Sequence, residues 1–109
     1  MIKVTCEIAK NKIISLEIKG HALSDEPGKD LVCSAVSAVT LGGLNALHNS
    51  KKTLSIKIKD GYVLIAKSGD IENEDEVVLK TILVQLETIA RDYDKYVKII
   101  RKENKANDL

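Results

Sequence analysis

The sequence has no tryptophan and no phenylalanine, and only three tyrosines among its 109 residues. A surface that stacks nucleic-acid bases therefore has little to be built from. Neither sign of charge dominates: 17 Lys and Arg stand against 16 Asp and Glu. Without a basic stripe or patch, direct nucleic-acid binding is not expected. No apolar run approaches the length of a membrane span. The opening "MIKVTCEI" alternates instead of forming the apolar block of a signal peptide. A cytoplasmic protein without membrane contact is expected. Cysteine and histidine are scarce, two of each, and Cys6, Cys33, His21 and His48 show no CxxC or HxxxH spacing. This argues against a zinc site, and two cysteines in a reducing compartment read as free thiols. "GHALSDEPG" lacks the Lys-Ser/Thr ending and the glycine spacing of a phosphate loop. Neither a metal nor a cofactor is expected. There is no repeat, linker or low-complexity segment.

What is present is enough for one domain with its own core: 44% hydrophobic and 30% charged residues over this length. Ile2, Val4, Cys6 and Ile8 alternate with polar residues, which predicts a strand with Cys6 on its buried face. Ile14, Leu16 and Ile18 repeat the alternation after the polar turn "AKNK" and complete a hairpin. Gly20 ends that strand, and "LSDEPGK" reads as a loop. Asp30 is a good helix N-cap. Leu31, Val32, Ala35, Val36, Val39 and Leu44 then form an apolar helical stripe, predicting a helix to about His48. Gly42 and Gly43 weaken its interior, so close packing against another element is the expected reason for them. Leu54, Ile56 and Ile58 predict a third strand, "KDGY" a hairpin turn, and either Tyr62, Leu64 and Ala66 or Val63 and Ile65 the inward face of a fourth. Asn73 and Glu76 have the spacing of a capping box, with Asp75 adding negative charge. Leu79, Ile82, Leu83, Leu86, Ile89, Ala90 and Tyr93 follow at helical spacing, and 96–100 reads as a final strand. The predicted fold is α+β, a single domain of order β-β-α-β-β-α-β, with a mainly antiparallel sheet and both helices on one face. Residues 1–102 form the domain, and 103–109 a frayed polar tail.

One stretch carries chemistry. Counting from Asp30 as N-cap, Cys33 lies in the first helical turn, and Ser37 and Thr40 follow on the same face. A cysteine there meets unpaired backbone N–H groups and the positive end of the helix dipole, and both favour the nucleophilic thiolate. The same N–H groups could hold an oxyanion. His21, at the end of a strand, is placed to exchange the proton. Each residue also has a plainer reading. Cys33 could be small core filler, His21 a solvated loop residue, Asp30 only a cap, and Ser37 bonded to a carbonyl one turn back. His48 is explained by a helix C-terminus and receives no catalytic role.

Gly20-His21-Ala22, then Gly28, Asp30-Leu31-Val32-Cys33 and Ser37-Ala38 resemble the signature of the bacterial ribosomal-processing cysteine protease family, Prp. Strand order, length and the long second helix extend the likeness over nearly the whole chain. The resemblance implies Cys33 as nucleophile, His21 as general acid/base, Asp30 and Ser37 in support, and Gly28 as the loop glycine. The loop over 22–29, which separates the two reacting residues and is bracketed by Gly20 and Gly28, is in turn expected to close over a bound peptide. The resemblance further implies a homodimer and a substrate: the short N-terminal extension of ribosomal protein twenty-seven of the large subunit, cut after aromatic residues in an apolar segment. Two other classes remain open on the residues alone. One is a non-catalytic ribosome-associated binding module, and the other is a different Cys-His enzyme of the acyl-transfer type.

Overall fold

A computed structural model describes residues 1–23, 25 and 30–104. The loop glycine Gly28 lies outside the described residues, as do most of the loop before Asp30 and the tail from 105 onward.

Alternation sets the hairpins. β1 (Ile2–Ala9) and β2 (Lys12–Gly20) pair antiparallel across a two-residue turn. Both turn residues, Lys10 and Asn11, have positive φ (53° and 62°), the backbone that matches strand twist in a tight hairpin. A bulge between Glu7 and Ile8 breaks the register. It turns Ile13 into the core, whereas simple alternation placed Ile14 there. After the helix α1 (Leu31–Asn45) and a single turn, α2 (Ser50–Thr53), come β3 (Leu54–Lys59) and β4 (Tyr62–Lys67), joined at Asp60-Gly61. Val63 and Ile65 face inward on β4. The long α3 (Asn73–Asp92) leads to β5 (Val97–Glu103), which runs three residues beyond the predicted strand end. The five strands lie in the order β3-β4-β2-β1-β5, antiparallel except for the parallel pair β1–β5.

Both long helices cover one face. Val32 and Val36 of α1 and Leu79, Ile82, Leu83 and Leu86 of α3 join Val4, Cys6, Leu16, Ile65 and Val97 in one core. Cys6 is fully buried, and burial pushes its thiol up to about 11, against a smaller lowering by Arg101. The expected close approach at the glycine pair occurs at Gly43, where a Cβ would collide with the Ile82 side chain; Gly42 has open space.

Three local predictions change. Leu31 leaves the predicted stripe and is 77% exposed, because the buried row of α1 is Val32, Val36 and Thr40, spaced by four. The helix stops at Asn45, short of His48, and Ala46 caps it with its N–H on the Gly43 and Leu44 carbonyls. No capping box forms at α3, whose N-cap is Glu72. Asp75, 0% exposed, instead accepts the N–H of His48 (2.7 Å) and of Asn49 (2.9 Å), while Glu72 takes the His48 ring Nδ1 (3.1 Å) and Asn49 Nδ2 (3.0 Å). These acidic groups bind the turn after α1 to the start of α3.

The hydrogen bond that the His48 ring donates to Glu72, reinforced by the carboxylate's charge, raises the His48 pKa above its ordinary value of 6.5. A raised folded-state pKa adds stability that is complete below 6.5 and is lost as pH rises through the folded value. The His48 ring is therefore expected to titrate above 6.5 by NMR, and Glu72→Gln to return it toward 6.5. Equal midpoints in the two proteins would rule this coupling out.

Candidate active site

Asp30 is a working N-cap: its Oδ1 accepts the Cys33 N–H at 3.0 Å, and its carbonyl accepts the Ser34 N–H at 3.0 Å. This fixes the first turn of α1 and with it the Cys33 side chain, which is half-buried. It also changes an expectation. Of the first-turn N–H groups expected to serve an oxyanion, that of Cys33 is already engaged by the cap.

On the facing side, β2 ends at Gly20 with φ +105°, and a Cβ there would collide with the Met1 carbonyl. Glycine alone suits both the backbone and the space. The Gly20 N–H donates to the Gly61 carbonyl at 2.8 Å, so the β3–β4 turn is tied to the strand end that carries His21. The Met1 amino group donates to the His21 carbonyl at 2.6 Å. Ala22, 3% exposed, is seated in the core, and its N–H donates to Cys33 Sγ at 3.2 Å. The strand end and the helix start, eleven positions apart in sequence, therefore meet at the sulfur.

His21, Cys33 and Ser37 line one cavity of about 270 Å³. Its walls include Ile18, Val36, Leu41, Ile58 and Val63 from β2, α1 and the β3–β4 hairpin. Thr40 shares this lining but is only 2% exposed. Its Oγ1 is, among the described residues, the buried side-chain oxygen that lacks a hydrogen-bond partner. Helical Thr53, Thr81 and Thr88 by contrast bond the carbonyl four residues back. Ser37, also in the lining, is exposed.

Sequence reasoning placed the β3–β4 turn but missed its contact with His21. Asp60 Oδ2 lies 3.9 Å from His21 Nε2, a distance and an exposure at which an ion pair contributes little. Gly61 matters more. It has φ +66°, and a Cβ there would stand 2.6 Å from His21 Nε2. The Asp-Gly pair signalled a turn, but nothing local to it signalled the histidine. Gly61→Ala is expected to displace the imidazole and lower kcat/KM about 10- to 100-fold, with only a modest loss of thermal stability. Unchanged turnover would show that the ring does not work from this position.

The chemistry this arrangement permits is nucleophilic: a thiol at a helix start, a donor on its sulfur, and an imidazole on the same cavity. Comparison with known proteins agrees. The family model for cysteine protease Prp matches residues 1–98. The ribosomal processing cysteine protease Prp of Bacillus subtilis is 34% identical over 107 residues, spanning 91% of this chain and 96% of that protein. The Mycoplasma genitalium protein of the same name is 34% identical over 99 residues, spanning 91% and 94%. Among solved structures, Prp from S. aureus with a covalently linked product peptide superposes with a TM-score of 0.86 at 30% identity, covering 94% of this chain and all of that one. The chain belongs to the Prp family of cysteine proteases.

Proposed function

We propose that the chain removes the short N-terminal extension of ribosomal protein twenty-seven of the large subunit, acting in the cytoplasm as a homodimer. Cys33 is the nucleophile and His21 the general acid/base, with Asp30 and Ser37 in support. The observation that carries this reading is the convergence of His21, Cys33 and Ser37 on one cavity, with the Ala22 N–H on the sulfur. The S. aureus relative has been solved both with a substrate peptide and with a covalently linked product peptide. The apolar walls of the cavity suit the aromatic side chain that the family resemblance implies before the scissile bond.

The Cys33 thiolate attacks the scissile carbonyl, forming the S–C bond as the carbonyl electrons move onto oxygen. Collapse expels the amine, which leaves with the proton held by His21. A water then gives a proton to His21 and its hydroxide to the thioester carbonyl, and collapse breaks the S–C bond, releasing the acid and restoring the thiolate beside protonated His21. Asp30 keeps the helix start, and so the sulfur, in place. In the sequence, Gly20 and Gly28 bracket the stretch between the two reacting residues.

The test is incubation with the N-terminally extended ribosomal protein of the same genome, followed by mass spectrometry. The expected result is one cut that leaves the mature protein. A substrate bound but intact would favour a binding module. Hydrolysis of small acyl thioesters instead would favour an acyl-transfer enzyme.

A further inference from the structure

We propose that the backbone N–H of Ala22 is a catalytic group, the donor that receives the oxyanion formed on the scissile carbonyl. The inference rests on the peptidase reading above. It starts from a conflict at the helix start. The donor that a first-turn cysteine would ordinarily supply is its own N–H, and here Asp30 Oδ1 holds that group at 3.0 Å. The Ser34 N–H is likewise engaged, by the Asp30 carbonyl. The Ala22 N–H is aimed at the sulfur itself, 3.2 Å away.

This N–H faces the atom on which negative charge rests in the thiolate form. When sulfur attacks, charge moves from sulfur to the carbonyl oxygen, which is bonded to the same carbon. Effective oxyanion donors stand about 2.7–3.1 Å from that oxygen, and a donor fixed against the sulfur is already beside the position where that oxygen forms. Exchanging sulfur for oxygen also leaves no donor unpaired at any stage. Ala22 is held for this task. Its side chain is seated in the core, the preceding carbonyl is bonded by the Met1 amino group, and Gly20 is bonded to Gly61. A donor fixed before the reaction needs no reorganisation during it. The motif alanine then has a reason of its own: a small apolar side chain that anchors the backbone without filling the cavity.

The test removes the N–H and keeps the methyl group. Ala22→lactate, introduced as the α-hydroxy acid, replaces the amide with an ester. With the extended ribosomal-protein peptide, kcat is expected to fall about 10²- to 10³-fold while KM changes little. A peptide aldehyde, whose adduct with Cys33 carries the tetrahedral oxygen, should lose affinity by a similar factor. The alkylation rate of Cys33 against pH separates the two uses of the N–H. A kcat loss fully matched by an upward shift of that profile would mean that the group serves only the thiolate, and would overturn the proposal. A second measurement needs no variant: in the wild-type protein, the Ala22 amide proton should move downfield and exchange more slowly when the aldehyde adduct forms. An unchanged amide signal would also overturn it. A wild-type protein that neither cleaves the peptide nor forms the adduct would remove the peptidase reading itself. Wild-type cleavage equalled by the ester variant would remove only this inference.

Discussion

Cys33→Ala is expected to lower kcat/KM for the extended ribosomal protein by at least about 10⁴-fold, to the background left by binding alone. The loss is chemical, because the bond that fixes the helix start uses the Cys33 N–H and the Asp30 carboxylate, and alanine keeps it. Melting should therefore move little. Cys33→Ser should come close to the same loss, since a hydroxyl in this position is far harder to deprotonate than a thiol. Alkylation provides the control. Cys6 is fully buried and its thiol is pushed up to about 11, so native protein should take one iodoacetamide, at Cys33, and the alanine variant none until it is unfolded. Cleavage that survives in Cys33→Ala would exclude the thioester route altogether.

The largest effect on stability is expected at Asp75. Alanine there leaves the His48 and Asn49 N–H groups without the carboxylate that accepts both. Each charge-assisted bond to a carboxylate is worth roughly 1.5–3 kcal/mol, so losing both costs about 3–6 kcal/mol. That is a large part of the roughly 5–15 kcal/mol that holds a domain of this size. Asp75→Asn keeps one acceptor and should lose less. Urea unfolding measures both, and an alanine variant as stable as the parent would mean that the turn after α1 finds other partners. The effect on cleavage should be smaller, because this junction lies at the far end of α1 from Cys33.

Much of this was legible in the chain. Period-two alternation marked the first four strands, and the spacing from Asp30 to Cys33 and Ser37 marked a helix that begins at the candidate nucleophile. Gly43 was legible as a contact, although its partner Ile82 was not. What escaped was non-local. Whether Ile13 or Ile14 faces the core depends on a bulge that no residue type announces. The capping-box spacing at Asn73 was a valid local signal, but the carboxylates there were drawn to the turn after α1. Gly61 looked like a hairpin glycine and nothing more, because its contact with His21 exists only once β4 pairs with β2. The Cys33 N–H followed the capping rule, and the consequence for an oxyanion appears only when Ala22 is brought to the sulfur.

The parallel pairing of β1 with β5 has a consequence for how the protein is made. β1 is an interior strand whose second neighbour is supplied by the last described strand of the chain. Until that segment leaves the ribosome, the hairpin and both helices can assemble, but β1 keeps an open edge of unpaired N–H and C=O groups. Closing it joins opposite ends of the sequence, a contact of high order that forms slowly. A nascent or truncated chain that ends before Val97 would present that edge as a template for strand pairing with other chains.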